Sequence, residues 1–423
     1  RVSERLYPAG EVAGNIVGFT GGDGTALAGA ELSFDKDLRG IDGERQYERG
    51  AGGQLIPSAH VSEKEAVDGE SIELTIDRDL QYRAQEILAQ RVNDFGGSGG
   101  SAVVIDPKTG HVLALADYPT YDPNDPGAAD AQYRGNQSIS NVFEPGSTGK
   151  LFTVASVINE GKAKVDDKFT IPYRKEFGGE SIKDSHEHPV LHYTLAGVLK
   201  HSSNVGTVEV SRRISNEKRE EYLRGFGFGA KTNINLPGES AGILHAAKDW
   251  RGRTQYAVAF GQGYAVTPLQ VTSAVGTFGN DGVHIEPRIV KGRVSKDGSF
   301  TPEPKGNHTR VISSETAATM RDLMDNDVDD DGKAAGSVEG YPVGGKSGTA
   351  QVPGGTYTSS FISMAPMDDP QLVVGVFVYG IKGFKSGSVV AGPAVSELLG
   401  YALQRRGIAP SGTPGTQLDN EWK

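Results

Sequence analysis

Apolar and polar residues alternate over residues 71–76, which is the pattern of a strand with one buried face. Asp77 and Asp79 follow, and either carboxylate can cap a helix. The apolar residues that come next fall on one helical face: Leu80, Ala84, Ile87 and Leu88. Two apolar runs, 102–105 and 112–116, flank a Pro- and Gly-containing turn. The pattern therefore predicts a strand, a helix and a β-hairpin in succession.

The remainder of the chain alternates between helical and extended patterns. Helices are predicted from Ser147 to about Asn159 and over residues 191–201, 204–211, 268–278, 313–324 and 393–405. Strands are predicted over residues 361–365 and 372–379. The tail from Gly407 onward is rich in Pro, Gly and Ser, which predicts a loose segment. Strands at both ends with helices between them favour an α+β fold over repeated βαβ units.

The N-terminal region has a different character. Residues 1 to about 50 are rich in Gly and contain only short apolar patches. Residues 16–19 predict a short strand, and residues 32–38 predict one or two helical turns. Residues 54–69 are polar and linker-like, although residues 55–56 can form a strand. We therefore expect this region to be part of a domain that precedes the main one.

Length, charge and cysteine content narrow the function classes. The chain has 423 residues, which predicts two or three structural units. Its 43 basic and 54 acidic residues give a formal net charge of -11, which disfavours nucleic-acid binding because phosphate contacts need clustered Lys and Arg. The absence of cysteine excludes a disulfide framework, a cysteine nucleophile and a thiolate zinc site.

The chain contains neither a membrane-spanning pattern nor a secretion signal. No stretch approaches the roughly 20 apolar residues that cross a bilayer, and no signal-peptide pattern is present. The sequence begins at Arg1 without a Met. We therefore expect it to be a fragment, or the ordered part, of a longer protein.

Three short motifs carry candidate chemistry. They are Ser147-Thr148-Gly149-Lys150, Ser202-Ser203-Asn204 and Lys346-Ser347-Gly348-Thr349. Each motif alone is weak, because a second S-x-x-K occurs at residues 215–218 and a second K-[ST]-G at residues 108–110. The three motifs together are much stronger evidence for a catalytic site. They occur in the expected order along the chain, the first opens a helix and the third lies in a strand pattern.

The first motif can activate a nucleophile. Residues 144–146 end the preceding segment, so Ser147 opens a helix and Lys150 lies one turn later on the same face. A serine hydroxyl needs a base, and a lysine can serve if burial and a nearby cation lower its pKa. Lys346 is the candidate cation. The helix N-terminus also favours negative charge at the serine.

The other two motifs can bind an extended peptide. Residues 344–345 are both Gly and allow close approach ahead of Lys346. Small residues after it leave room for strand addition. Lys346, with the hydroxyls of Ser347 and Thr349, can hold a terminal carboxylate. Asn204 can bind an amide and Ser202 can relay a proton, while a pair of backbone N–H groups would stabilise an oxyanion.

Together these motifs resemble the penicilloyl-serine transferase superfamily, whose motifs are S-x-x-K, S-D-N and K-T-G. The central motif here is S-S-N, which is usual among high-molecular-weight penicillin-binding proteins. The resemblance extends over roughly residues 5 to 405 and is greatest to the FtsI-type, division-specific class B transpeptidases. Further segments that carry it are residues 5–10, 29–31, 38–40, 75–81, 118–124, 143–148, 225–227 and 261–270.

The resemblance implies a fold and a domain division. It implies a transpeptidase domain over residues 69–406, with a central antiparallel five-stranded sheet flanked by helices and a helical subdomain that carries the serine. Residues 1–68 would be the C-terminal remnant of a mixed α/β pedestal domain and a linker, and residues 407–423 a flexible tail. The family also implies an N-terminal membrane helix, which would place the protein on the extracytoplasmic face of the membrane.

The resemblance also implies roles for the site residues. Ser147 would be acylated by a stem peptide ending in D-Ala-D-Ala, with Lys150 as base and Ser202 passing the proton to the leaving D-Ala. The oxyanion hole would be the backbone N–H groups of Ser147 and Thr349. Asn204 would complete the catalytic group. The residues that bind the substrate or a β-lactam would be Lys346, Ser347, Gly348, Thr349 and Gln351.

No cofactor and no metal are implied. The partners implied are peptidoglycan stem peptides, β-lactam antibiotics, a lipid-II polymerase of the SEDS type and other division proteins.

Several of these residues also have structural interpretations. Ser147 can be a helix cap beside a solvated Lys150, Asn204 can cap the following helix, and Thr349 can be an ordinary strand residue. Four tyrosines either line the cleft or simply pack: Tyr118, Tyr121, Tyr264 and Tyr357.

Two segments resemble metal sites only loosely. His186, Glu187, His188 and His192 lack the H-E-x-x-H spacing, and the Pro at 189 favours a loop. Residues 327–332 resemble the start of a calcium loop, but the twelfth position is Val338. We expect a solvated acidic loop there.

Two functions compete with transpeptidation. A β-lactamase or D,D-carboxypeptidase would send water to the acyl-enzyme, although the pedestal remnant and the long stretch between Ser202 and Lys346 disfavour a compact lactamase. A non-catalytic penicillin sensor or scaffold would keep the same motifs.

Overall fold

The computed structural model describes residues 5–46, 50–52, 54, 62–328 and 335–423. Its strands are β1 (Glu44–Gln46), β2 (Ser62–Lys64), β3 (Ser71–Leu74), β4 (Gly99–Ile105), β5 (Val112–Tyr118), β6 (Lys168–Ile171), β7 (Arg174–Phe177), β8 (Glu180–Lys183), β9 (Leu191–Thr194), β10 (Val283–Ile285), β11 (Val290–Val294), β12 (Phe300–Pro302), β13 (His308–Arg310), β14 (Gly344–Val352), β15 (Thr356–Ala365) and β16 (Leu372–Lys382). Its helices are α1 (Gly14–Val17), α2 (Gly29–Ser33), α3 (Asp35–Leu38), α4 (Arg78–Asp94), α5 (Gln137–Ser140), α6 (Gly149–Asn159), α7 (Leu195–Lys200), α8 (Asn204–Ser211), α9 (Asn216–Gly225), α10 (Thr254–Ala257), α11 (Pro268–Gly279), α12 (Ser314–Val328), α13 (Gly387–Val390) and α14 (Gly392–Arg405). Within these ranges, no helix has the length and hydrophobicity that a membrane span requires.

A five-stranded antiparallel sheet forms the centre of the fold, in the order β14-β15-β16-β4-β5. Neighbouring residues of β4 point into different cores. Val103 packs in a core with α6 and α11, whereas Val104 packs in a second core with α4 and α14. Because helices cover both faces, the central strands are buried along almost their whole length. The predicted five-stranded sheet flanked by helices is confirmed.

Local sequence signals explain where the main helices begin. The Asp77 carboxylate accepts hydrogen bonds from the backbone N–H groups of Asp79 and Leu80 and so caps α4. Thr267 and Gln270 form a reciprocal capping box at α11, and Pro268 occupies its first position. The predicted strand at residues 71–76, the following helix, the hairpin and the C-terminal helix are all confirmed.

A helical region lies between β5 and β14 in the chain, and α6 is at its centre. Residues 149–157 of α6 are buried on every side, with α8, α9 and α12 packed around the helix. A helix that is buried around its whole circumference must be enclosed by other elements in this way. The predicted helix from Ser147 to Asn159 is confirmed, except that residues 146–148 form a 3-10 turn before α6 begins.

Two short elements differ from the sequence prediction. Residues 16–19 were predicted as a strand, but Ile16 and Val17 lie in α1, which ends at Gly18 with a φ of 76°. A short apolar run has no periodicity that separates helix from strand. Residues 191–201 were predicted as one helix, but they divide into β9, which pairs with β6, and α7, which Thr194 caps. The alternation of residues 191–194 was the missed signal. The predicted strand at residues 55–56 lies outside the described residues.

The C-terminal tail also differs from the expectation of a loose segment. The backbone N–H of Thr416 donates to Asp325, that of Leu418 donates to Asn326, and that of Trp422 donates to the carbonyl of His192. Composition predicted a loose tail because it does not reveal such pairing with distant buried groups.

Replacing the α4 cap should destabilise the fold. We expect Asp77→Ala to lower the free energy of unfolding by about 1–2 kcal/mol, because two backbone N–H groups lose their acceptor. Chemical denaturation measures this change. Arg78→Ala, in the same turn but largely exposed, is the matched control and should change stability by less than about 0.5 kcal/mol. Equal losses in both variants would contradict the capping role.

Candidate active site

The serine segment lies directly against the edge strand of the sheet. Gly146 has a φ of +57°, and a Cβ at this position would lie 2.8 Å from the carbonyl oxygen of Thr349. Only glycine therefore fits between the 3-10 turn and β14. Ser147 follows and is half-buried. The first and third motifs thus meet where the sequence analysis requires them to meet.

Aromatic packing and a second glycine contact fix the position of α6. The ring of Phe152 packs against those of Phe226, Phe228 and Phe278. At Gly149, a Cβ would lie 2.6 Å from the Cα of Gly261. The close approach at Gly149 and the aromatic cluster together hold the helix that carries Lys150.

The buried amine of Lys150 forms its hydrogen bonds with one residue, Ser202. Its side chain is fully buried, and its Nζ donates to the hydroxyl of Ser202 at 3.0 Å and to the Ser202 carbonyl. Burial and, to a smaller extent, the charge of Lys346 together lower the pKa of the Lys150 ammonium to about 7. At neutral pH a substantial fraction of Lys150 is therefore the neutral amine, which can accept a proton.

The second motif is held in an unusual backbone conformation. Ser202 has a φ of 55°, a left-handed conformation that non-glycine residues seldom adopt. Ser203 caps α8 by accepting a hydrogen bond from Gly206. Asn204 is the first residue of α8, and its side-chain amide donates to the carbonyl of Lys183. The helix cap predicted as an alternative for Asn204 is thus provided by Ser203 instead.

Asp184 supports this motif and was not recognised in the sequence. Its carboxylate accepts from the hydroxyl of Ser203 at 2.8 Å and from the backbone N–H of Val205 at 2.9 Å. His188 also contacts it, at 3.1 Å. No local pattern marks Asp184, because Ser203 and Val205 lie 19 and 21 residues further along the chain.

The histidine-rich segment does not gather around a metal-binding position. His188 lies against Asp184 and the carbonyl of Pro189, whereas His192 packs its ring against Trp422. In the described ranges, no three acidic or histidine side chains are grouped as a metal site would require.

The third motif lies on β14, which ends the described sheet on one side. Lys346 pairs with Ile362 and shares the face of the core that contains α6, whereas Ser347 pairs with Phe361 on the opposite face. Gly348 faces the serine segment, since a Cβ there would lie 2.8 Å from the carbonyl oxygen of Pro145. Thr349 accepts a hydrogen bond from the backbone N–H of Gly387, and Gln351 is exposed.

Lys346 forms a buried ion pair with Asp327 at the end of α12. Its Nζ lies 3.1 and 3.2 Å from the two carboxylate oxygens, and the side chains are only 3% and 8% exposed. Burial raises the pKa of the Asp327 carboxyl, and the Lys346 ammonium opposes that shift. Asp327 was predicted to lie in a solvated acidic loop, and this prediction is wrong because the residue is buried and paired. Residues 329–332 of that loop lie outside the described residues.

The duplicate motifs have ordinary structural roles. Ser215 caps α9 by accepting a hydrogen bond from the backbone N–H of Lys218, whose side chain pairs with Glu221 on the surface. Residues 108–110 form the β4–β5 turn, in which Asp106 accepts from the backbone N–H of Lys108. Neither copy lies beside another of the motifs, so the arrangement in space separates them from the candidate site.

Comparison with known proteins decides the family. The model of the penicillin-binding protein transpeptidase domain matches residues 100–400. The chain belongs to the penicillin-binding protein transpeptidase family. The chain is 39% identical over 432 residues to penicillin-binding protein PbpB of Mycolicibacterium smegmatis, an alignment that covers 98% of the chain and 67% of that protein. It is 33% identical over 419 residues to the probable peptidoglycan D,D-transpeptidase PenA of Neisseria meningitidis, over 96% of the chain and 70% of that protein.

The chain spans about two thirds of the length of the curated mycobacterial relatives that it matches. Solved structures agree with the assignment. A peptidoglycan synthetase from Bifidobacterium adolescentis has a TM-score of 0.91 at 35% identity, covering 99% of this chain and 77% of that one. Penicillin-binding protein 3 from Mycobacterium tuberculosis, complexed with ampicillin, has a TM-score of 0.88 at 35% identity, covering 99% and 93%.

The four tyrosines left open by the sequence differ in their surroundings. In this transpeptidase domain Tyr264 is buried beneath α6, where a Cβ on Gly149 would meet its hydroxyl. Tyr121 is buried against Phe19. Tyr118 and Tyr357 are only half-buried, and Tyr357 packs edge-on against the largely exposed Phe384. Two of the tyrosines therefore pack in the interior.

Removing the carboxylate of the buried pair should destabilise this transpeptidase domain. We expect Asp327→Ala to lower the free energy of unfolding by roughly 3–5 kcal/mol, because a buried cation loses its partner. Chemical denaturation followed by circular dichroism measures the change. Asp322→Ala removes an exposed carboxylate from the same helix and should have little effect. A loss no larger than that of the control would contradict the importance of the pair.

Proposed function

We propose that this protein is a peptidoglycan D,D-transpeptidase that works through an acyl-serine intermediate on Ser147 and is inhibited when β-lactams acylate the same residue. The observation that carries the proposal is the position of Lys150. Its buried amine contacts Ser202, is influenced by the charge of Lys346, and lies one helical turn from Ser147. The name of the PenA relative and the ampicillin complex of the structural relative support the same chemistry.

Acylation begins with a proton transfer. The neutral amine of Lys150 takes the proton of the Ser147 hydroxyl, and the oxygen attacks the carbonyl carbon of the penultimate D-Ala. The backbone N–H groups of Ser147 and Thr349 stabilise the resulting oxyanion. The contact of Gly146 with the backbone of Thr349 supports this pairing, because it brings the two chain segments side by side.

Departure of the terminal D-Ala completes the first half-reaction. The proton on Lys150 passes through the Ser202 hydroxyl to the leaving nitrogen, and the C–N bond breaks to leave an ester on Ser147. The hydrogen bond from Lys150 to Ser202 provides the first link of that route. An amine of a second stem peptide then attacks the ester. Its excess proton returns to Ser147 as the C–O bond breaks, and the new amide is the cross-link.

Strand β14 provides the substrate-binding edge. An extended stem peptide can add to this edge by main-chain hydrogen bonds, with Gly348 allowing close approach and Gln351 near the open end. We assign the terminal carboxylate to the hydroxyls of Ser347 and Thr349, which share one face of β14, and to the charge of Lys346, whose side chain lies on the other face. Lys346 has three N–H donors, so a donor remains when Asp327 is bound. Asn204 binds a substrate amide.

The cellular setting follows from the resemblance to FtsI-type proteins. We propose that the full-length protein acts at the division septum on the extracytoplasmic face of the membrane, anchored by an N-terminal helix. A SEDS-type glycosyltransferase and other division proteins would be its partners. Residues 1–68 would then belong to a pedestal domain, and residues 69–406 to the transpeptidase domain.

Mass spectrometry of a penicillin adduct tests the nucleophile. We expect the intact protein to gain the mass of one penicillin and to keep it for hours, and Ser147→Ala to gain nothing. Ser215→Ala, in the duplicate S-x-x-K motif, is the matched control and should be acylated normally. Acylation of the Ser147→Ala variant would refute the assignment. Rapid loss of the adduct with release of hydrolysed drug would instead identify a β-lactamase.

The pH dependence of acylation tests the base. Because Lys150 must be neutral to accept a proton and its pKa is about 7, the acylation rate should rise with pH through about 7 and level off above it. Lys346→Met removes a repelling cation, which favours protonated Lys150. The midpoint should therefore move to higher pH. Stopped-flow acylation gives the profiles.

Lys218→Met is the control for this profile, because Lys218 lies on the surface in the duplicate motif. Its midpoint should equal that of the wild type. A midpoint that stays in place in Lys346→Met would show that Lys346 does not tune Lys150.

A further inference from the structure

Residues 416–422, which we call the C-terminal segment, contact two parts of the fold. The first is the end of α12. The backbone N–H of Thr416 donates to Asp325 at 2.6 Å, and that of Leu418 donates to Asn326 at 3.1 Å. The Asn326 amide in turn donates to the side-chain oxygen of Asn420 at 2.8 Å. Asp325 and Asn326 are both buried. These hydrogen bonds therefore fix the last turn of α12 from outside the helix.

The same segment also binds to β9 and α7. The backbone carbonyl of Asn420 accepts from the N–H of Thr194 at 3.1 Å, and the carbonyl of Asp419 accepts from the Thr194 hydroxyl at 2.6 Å. The fit is close, because a Cβ on Gly197 would lie 1.8 Å from the Asn420 carbonyl oxygen. Trp422 completes the contact by donating its indole N–H to the carbonyl of Phe169 at 3.0 Å.

The two regions that the C-terminal segment contacts are each close in the chain to a residue of the candidate active site. Asp327 directly follows Asn326 and holds the ammonium of Lys346. On the other side, Thr194 caps α7, and the chain reaches Ser202 shortly after that helix ends. Asn420 bonds to both sides, with its side chain on α12 and its carbonyl on Thr194. The C-terminal segment thus connects the helix that carries Asp327 with the region that leads to Ser202.

We propose that the C-terminal segment is a positioning element for acylation, and that Asn420 acts through Asp327 to hold Lys346 in place. The proposal rests on the proposed function. Catalytic groups must be held to within about 0.5 Å by surrounding contacts, and Asp327 is adjacent in the chain to Asn326. The hydrogen bonds of Asn326 with Asn420 and Leu418 supply such contacts from outside α12.

The test compares acylation rates at saturating penicillin. Asn420→Ala removes the bond to Asn326 and keeps the main-chain bond to Thr194, so the protein should stay folded. We expect its first-order acylation constant to fall roughly 3- to 30-fold, the range typical of coupling between residues. The fraction of protein finally acylated should not change, because Asn420 does not contact the serine and the protein stays folded. Gln417→Ala, an exposed position in the same segment, should match the wild type.

A double-mutant cycle identifies the route of the effect. If Asn420 acts through Asp327, adding Asn420→Ala to Asp327→Asn should slow acylation no further. Independent, multiplicative effects would overturn the proposal. So would an Asn420→Ala variant with an unchanged rate constant, or one in which only the acylated fraction falls, since that fall reports partial unfolding. A wild-type chain that is not acylated at all would instead overturn the proposed function, and this inference with it.

Discussion

The site depends on how the fold accommodates two buried lysines. Moving an ammonium out of water is costly unless it is paired or loses its proton. Lys346 is paired, because Asp327 meets it at 3.1 Å with both side chains almost fully covered. Lys150 has hydrogen-bond partners on Ser202 and no carboxylate partner among the residues that the structure describes, and its pKa falls to about 7. One lysine is therefore held in an ion pair, while its neighbour is a candidate base.

This division of charge requires contacts between segments that are far apart in the chain. Lys150 is on α6, Lys346 is on β14 and Asp327 is on α12, so no single element can create it. Glycine contacts bring the segments together. At Gly146 the serine turn approaches the backbone of Thr349, and at Gly149 the helix approaches Gly261, in both cases closer than a Cβ allows. Gly146, just before the first motif, and Gly149, within it, are thus as necessary to its geometry as the serine and lysine.

The sequence predicted the elements with a long, regular pattern and the three motifs with a fixed spacing, because both signals are local. Asn204 could be placed at the start of a helix, and Ser147 at the start of another. Asp327 and Asp184 could not be recognised, since each is defined by a partner distant in sequence and neither has a distinctive neighbourhood. The attachment of the tail was missed for the same reason.

The duplicate S-x-x-K motif shows why spacing alone does not define the chemistry. Ser215 and Lys218 have the same separation as Ser147 and Lys150, and both pairs open a helix. Lys218, however, lies on the surface beside Glu221, whose carboxylate raises the pKa of the Lys218 ammonium. Burial and Lys346 lower the pKa of Lys150 instead. The same four-residue pattern therefore gives a solvated cation in one place and a candidate base in the other, and the environment that the fold provides makes the difference.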